Sequence, residues 1–307
     1  MGFKVLITPP GFAKNDKKPL DMLKQQGYQL IINPYGRQMT KDEMIEMVKD
    51  VDAIIIGTDP LGKDVMECSS NLKVISKYGV GTDNIDLKYA KDKNIIVTRT
   101  IGANSDAVAD TAFALMMAVS KKIVVIDSDC RKGLWNETET FEINKKTLGL
   151  IGLGFIGKGV AKRASGFEMK VLAYDIIKDE EYAAKNNIEY VSLERLLRES
   201  DFISIHVPLL PETKYMIGAK EIKMMKPRAV IVNTARGGII DEDALIIALR
   251  ENRILGAGLD VFEVEPFNSS LWYDIPNVVL SSHCAADTYE STHKMSMMSA
   301  QNVIDNL

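Results

Sequence analysis

Three short stretches of this 307-residue chain carry side chains suited to acid–base chemistry on a small acid: NTARGGIID (233–241), LDVFEVEP (259–266) and SSHCAAD (281–287). His283 is one of only three histidines, and taken alone it reads as a histidine capping or buried at a strand end. Glu265 and Arg236 change that reading. A glutamate beside a histidine holds the imidazole's orientation and favours its protonated form, giving a proton donor or acceptor poised near neutral pH. Arg236 is flanked by Ala235 and two glycines, on a turn that other groups can approach closely. A guanidinium there can bind a carboxylate in bidentate fashion.

A second constellation precedes these. LGLIGLGFIGKGVAKRA contains Gly152-x-Gly154-x-x-Gly157 directly after an apolar run and directly before a helical pattern. Gly152 permits the tight turn, Gly154 lets a pyrophosphate approach the backbone, and Gly157 lets helix and strand pack closely. The helix N-terminus offers N–H groups to the phosphates. The next strand ends at Asp175, 18 positions after Gly157. An acid there accepts hydrogen bonds from the adenosine ribose hydroxyls and repels a 2′-phosphate, and Ile176 and Ile177 supply no arginine to hold one. The expected cofactor is NAD rather than NADP. Hydride transfer between a carbinol carbon and nicotinamide needs a proton-exchanging group at the substrate oxygen and a cation for its acid group, and Arg236, Glu265 and His283 make up that set.

The elements that must position these residues are legible as strand–helix alternation. KVLIT (4–8), QLIINP (29–34), AIIIG (53–57), KVIS (73–76) and IIVT (95–98) read as strands, with helical patterning at 41–50 and 87–93. Residues 104–118 form a helix apolar almost all round, as expected of a large core or a subunit interface. LGLIG (148–152), KVLAYD (170–175), FISIHV (202–207), AVIVNT (229–234), ILGAGLDV (254–261) and NVVLSS (277–282) give six further strands with helices between. Continuous apolar strands separated by helices imply parallel sheets covered on both faces. The expectation is an α/β protein of two doubly wound domains. A Rossmann NAD-binding domain (100–286) is inserted in a flavodoxin-like substrate domain (1–99 with 287–307), the last helix returning to the first unit. Ligands bind outside the carboxyl ends of such strands, where the three chemical stretches lie.

Composition narrows the classes. Apolar residues at 46% and charged residues at 26% are ordinary for a soluble globular protein, and a net charge of −4 gives no support for nucleic-acid or anionic-membrane binding. The apolar run at 112–119 is far short of a span, and the N-terminus does not read as a signal peptide. Three widely spaced cysteines suit a reduced, cytoplasmic setting.

With these residues in order, the sequence resembles the D-isomer-specific 2-hydroxyacid dehydrogenases, particularly their phosphoglycerate dehydrogenase branch. GLIGLGFIG with Asp175, HVPLLPETKYMIG (206–218), NTARGGIIDEDAL (233–245), LDVFEVEP and the His283 stretch carry the resemblance, together with KYGVGTDNID (77–86) and TIGANSDAVAD (100–110). It implies that Arg236 holds the substrate carboxylate and polarises the carbonyl, and that Glu265 tunes His283, which exchanges the proton. It implies further that substrate meets Lys77, Tyr78, Gly79, Val80 and Gly81, with backbone N–H groups around Val80 and Gly81 on the carboxylate. Phe155, Ile156, Asp175, Thr234, Ala235 and Asp260 fall where such enzymes touch NAD, Asp260 at the nicotinamide carboxamide. The helix from Asn104 matches one that helps pair nucleotide domains, so a homodimer is expected.

Several positions depart from the family pattern. Cys284 follows His283 where a bulkier apolar residue is usual, and Asp110 replaces a Glu, with reorganised contacts near the nicotinamide as the expectation. Gly57 stands about where phosphoglycerate-acting relatives have an arginine for the phosphate, and Lys77 or Arg99 are the candidate replacements. Trp135 reads as a packing anchor. Open functions are a phosphoglycerate-type dehydrogenase, a glyoxylate or hydroxypyruvate reductase, a reductase of a phosphonate- or sulfonate-bearing acid and, in a different class, a non-catalytic NAD(H)-sensing scaffold.

Overall fold

A computed structural model describes residues 2–267 and 270–307. The chain begins with β1 (Lys4–Ile7), α1 (Lys18–Gln25), β2 (Gln29–Ile32), α2 (Lys41–Val48), β3 (Ala53–Ile56), α3 (Lys63–Met66), β4 (Val74–Lys77), α4 (Leu87–Asp92) and β5 (Ile96–Arg99). Two helices follow, α5 (Ser105–Ser120) and α6 (Ile123–Arg131). Then come β6 (Thr147–Ile151), α7 (Phe155–Ser165), β7 (Lys170–Tyr174), α8 (Glu180–Lys185), β8 (Ile188–Tyr190), α9 (Leu193–Glu199) and β9 (Phe202–Ile205). The remainder is α10 (Ala219–Met224), β10 (Val230–Asn233), α11 (Glu242–Arg250), β11 (Gly256–Leu259), β12 (Val278–Leu280) and α12 (Tyr289–Asn306). These elements form two compact units, residues 1–104 with 286–307, and residues 105–285.

In the first unit five parallel strands take the order β2-β1-β3-β4-β5, which is the flavodoxin-like order. Period-two alternation sends Leu6, Ile54 and Ile56 to the face covered by Met44, Val48 and Val65. Val5, Ile7, Ala53 and Ile55 go to the other face, covered by Leu23 of α1 and by Ala300 and Val303 of α12. Each central strand is therefore apolar on both sides.

In the second unit seven parallel strands take the order β12-β11-β10-β9-β6-β7-β8. The chain reverses direction across the sheet between β6 and β9, which makes their carboxyl ends the switch point where ligands bind. The strand the sequence did not reveal is β8: it is three residues long, at the sheet edge, with only Ile188 buried. β11 is glycine-rich because α5 lies against it. A Cβ at Gly258 would come 2.8 Å from Leu115 Cβ, and one at Gly256 would come 2.7 Å from Val119 Cγ1. Helix α5 packs on α7, β10 and β11, so most of its apolar surface belongs to this unit's own core.

Helix α6 buries no residue, and Trp135 just beyond it is 93% exposed. The expectation of Trp135 as a packing anchor is thus corrected: among the described residues of its own chain it is left almost fully exposed. Among the described residues no helix is long and apolar enough to cross a membrane, and no cluster of His, Cys, Asp or Glu is placed to hold a metal ion.

Candidate active site

At the carboxyl end of β6 the chain turns through Gly152 at φ 99°, where a Cβ would lie 2.8 Å from the His206 carbonyl carbon. Only glycine suits this position. Gly154 is the N-cap of α7, with no side-chain cap, and a Cβ there would meet no atom within 4 Å. It opens onto space that a phosphate can fill. At Gly157 a Cβ would collide with the Gly152 carbonyl, so this glycine is needed for packing. Asp175 closes the arrangement: Oδ2 accepts the Leu153 N–H at 2.7 Å and Oδ1 accepts the Ile177 N–H at 3.0 Å. The carboxylate is thereby fixed beside the glycine loop with lone pairs to spare. Phe155, Ile176 and Ile177 are exposed beside it, while Ile156 packs inward.

Two buried polar atoms beyond the neighbouring strands β9 and β10, His206 Nδ1 and Thr234 Oγ1, have no hydrogen-bond partner. A glycine cradle, a fixed acid and unsatisfied polar atoms at a switch point fit a dinucleotide.

The chemical side chains follow β10, β11 and β12, which are neighbours in the sheet. Asn233 shapes the Arg236 turn: its Nδ2 donates to the Arg236 carbonyl at 2.8 Å and its Oδ1 accepts the Ala235 N–H at 3.0 Å. A Cβ at Gly237 would strike the Phe262 backbone, so the turn lies directly against the segment leading to Glu265. Glu265 Oε1 accepts the Phe262 N–H at 2.9 Å, and Oε2 lies 2.6 Å from His283 Nδ1. Burial by itself would raise the Glu265 pKa. The hydrogen bonds from His283 and Phe262, with the charges of His283 and Arg236, outweigh it and hold the carboxyl below its ordinary value. With Nδ1 committed to Glu265, Nε2 is the ring nitrogen left for proton exchange. Arg236, Glu265 and His283, spread over 48 positions of sequence, thus come together.

In the first unit, Lys77 is buried, with Nζ donating to the Gly57 carbonyl and, at 3.0 Å, to Asn84 Oδ1. The Tyr78 hydroxyl donates to the Thr292 carbonyl at 3.0 Å, so its ring points to α12, and burial raises its pKa. Gly79, at φ 127°, is pinned to Thr100 through its N–H (2.9 Å) and carbonyl (3.0 Å). Val80 is exposed and Gly81 half-buried. Beside Gly57 lies Asp59, only 2% exposed, which accepts from the Thr8 hydroxyl and from the Met39 N–H at 2.8 Å. Asp110 is exposed and joins Arg163 of α7 at 2.5 Å, so the carboxyl in place of the expected Glu ties two helices together. The sequence missed Asn233, Asn84 and the Thr8–Asp59 pair, because their partners are set by strand register.

Comparison with known proteins gives the same family throughout. Residues 113–285 match the model of the D-isomer specific 2-hydroxyacid dehydrogenase NAD binding domain. The chain is 42% identical over 299 residues to a glyoxylate reductase of Thermococcus litoralis, covering 92% of this chain and 90% of that one. It is 39% identical over 298 residues to a hydroxypyruvate reductase of Thermotoga maritima (94% and 96%). Among solved structures, D-lactate dehydrogenase from Aquifex aeolicus, complexed with NAD and lactic acid, superposes with a TM-score of 0.84 at 31% identity (98% and 94%). The chain belongs to the D-isomer-specific 2-hydroxyacid dehydrogenase family and is an NAD-dependent oxidoreductase interconverting a D-2-hydroxy acid and its 2-oxo acid.

Proposed function

We propose that the enzyme reduces a small 2-oxo acid with an uncharged tail, of the glyoxylate or hydroxypyruvate kind. The observation that carries this reading is the Gly57 loop. A Cβ at Gly57 would sit 3.5 Å from Asp59 Oδ2, so a buried carboxylate stands beside the position where a phosphate-reading arginine would be. At least two N–H groups of Lys77, the nearby cation, are turned to Gly57 and Asn84. A phosphorylated tail would meet a like charge in a partly desolvated place. The relatives named glyoxylate reductase and hydroxypyruvate reductase support the same choice.

In this reading Arg236 holds the substrate carboxylate and polarises the carbonyl. Bound NADH supplies the hydride to the carbonyl carbon. His283, protonated at Nε2, gives its proton to the carbonyl oxygen and is left as neutral imidazole, while Glu265 holds Nδ1 and stabilises the charged form. Gly152, Gly154 and Gly157, with Phe155 and Ile156, receive the pyrophosphate side of the cofactor, Asp175 the adenosine ribose, and Thr234, Ala235 and Asp260 the nicotinamide half. The turn of Lys77, Tyr78, Gly79, Val80 and Gly81 meets the substrate through its backbone. The reading extends to a homodimer and to a cytoplasmic location, the latter supported by three free, exposed cysteines that suit a reducing compartment.

The test is NADH oxidation by the purified protein against glyoxylate, hydroxypyruvate, pyruvate, 3-phosphohydroxypyruvate and phosphonate or sulfonate analogues. The expected result is a kcat/KM for glyoxylate or hydroxypyruvate at least about tenfold above that for 3-phosphohydroxypyruvate, a difference of roughly 1.4 kcal/mol. Preference for the phosphorylated acid would sink the reading of Gly57.

A further inference from the structure

The turn after β4 is fastened residue by residue, each to a different neighbour. Lys77 Nζ donates to the Gly57 carbonyl and to Asn84 Oδ1, and Gly79 is paired with Thr100. Tyr78, between them, reaches elsewhere. Its ring stands edge-on to Phe12, with centroids 6.2 Å apart. Its hydroxyl donates to the Thr292 carbonyl of α12 at 3.0 Å, a bond that spans 214 positions of sequence. The Gly11 carbonyl and Ser296 Oγ each lie 3.4 Å from the same hydroxyl. Ser296 in turn donates to the Thr292 carbonyl at 2.7 Å and accepts the Ala13 N–H at 3.0 Å. Three parts of the first unit, the loop after β1, the turn after β4 and α12, thus meet around one phenol. Burial raises the Tyr78 pKa, so the hydroxyl stays protonated and remains the donor that carbonyl acceptors require.

The residue that follows is Gly79, at φ 127°, where no Cβ limits rotation of the chain. The peptides beyond it keep their direction only as far as the chain around the glycine is tied. We propose that Tyr78 is a positioning residue for substrate binding: its hydroxyl moors the 77–81 turn to α12 and to the loop after β1, and so sets the place of the backbone N–H groups that receive the substrate carboxylate. This rests on the reading of that turn as the carboxylate's seat. The ring is the spacer and the hydroxyl is the tie, so the two can be separated by substitution.

The test compares Tyr78→Phe, Ser296→Ala and Val80→Asp with the parent enzyme. The readouts are KM and kcat for glyoxylate and hydroxypyruvate, the NADH Kd by calorimetry and the thermal midpoint. Tyr78→Phe keeps the ring on Phe12 and removes only the hydroxyl. It is expected to raise KM about fivefold, the worth of one hydrogen bond, with kcat and the NADH Kd changed less than about twofold. Ser296→Ala leaves the turn itself untouched and should raise KM about twofold to threefold. It decides the matter alone if Tyr78→Phe does not fold. A lowered thermal midpoint with unchanged KM in both variants would make the hydroxyls stability contacts only and overturn the proposal. An equal rise in the NADH Kd, or a fall in kcat without a change in KM, would overturn it too. Val80→Asp puts a charge on an exposed position of the turn and should raise KM about tenfold or more by repelling the substrate carboxylate. An unchanged KM there would remove the reading of the turn as the seat, whereas a raised KM there with none in the other two would remove the mooring alone.

Discussion

The two histidines at strand ends of the second unit, His206 and His283, differ in what surrounds them, and that difference sets their parts. His206 Nε2 lies 2.9 Å from the Ser204 hydroxyl while Nδ1 is sealed from water, and burial pushes its pKa down to about 3. Between its ordinary 6.5 and about 3, the unfolded chain binds a proton that the folded chain refuses. Stability therefore falls as pH drops below 6.5, by about 1.4 kcal/mol per unit from this group. His206→Asn should flatten that slope. Urea unfolding at pH 7 and pH 5 should show the parent losing about 2 kcal/mol more than the variant on acidification; equal losses would count against a neutral buried ring. The sequence identifies His283 because Arg236 and Glu265 accompany it in recognisable motifs. It does not show that the Cys284 and Ala285 N–H groups donate to Asp260, since those bonds depend on β11 and β12 being neighbours.

At the scale of elements, the β6–loop–α7 unit separates two uses of glycine. Gly154→Ala puts a methyl into open space, so the fold should keep its thermal midpoint while the NADH Kd rises about tenfold or more, the methyl taking room needed by the pyrophosphate. Gly157→Ala drives a methyl into the Gly152 carbonyl and should destabilise the protein by about 1–3 kcal/mol. Calorimetric melting and NADH titration of both variants check the split, and equal loss of stability in the two would contradict it. Strands such as β3 and β10 are legible because each is a run of consecutive buried residues, four apolar in β3 and three apolar followed by Asn233 in β10. β8 escapes notice because Glu189 and Tyr190 give it no apolar run, and α6 because its apolar residues face away from the core of its own chain.

At the scale of the whole molecule, that outward-facing apolar surface bears on assembly. Met117, Ile123, Val124, Leu134 and Trp135 are all exposed, a run of apolar side chains that a monomer would leave wet. The proposed homodimer should use this region, giving twice the chain's 34.1 kDa in sedimentation. Val124→Glu with Trp135→Ala should bring the mass to that of a single chain. A parent protein already monomeric at working concentration would refute the assembly. The sequence suggested an interface at α5, yet Leu115 and Val119 are spent against the glycines of β11, and the surface left over lies mostly on α6 and the segment after it.

Asp175 has a consequence for how such an enzyme can change. The acid that would choose between cofactors also holds the Leu153 and Ile177 amides in place. Replacing it to admit a phosphorylated ribose therefore loosens the loop meant to receive the pyrophosphate. Cofactor preference and loop rigidity are inherited together, and a single exchange at this position should yield a weaker binder of both dinucleotides before it yields a new preference. A switch would have to begin with a second residue able to hold those two amides.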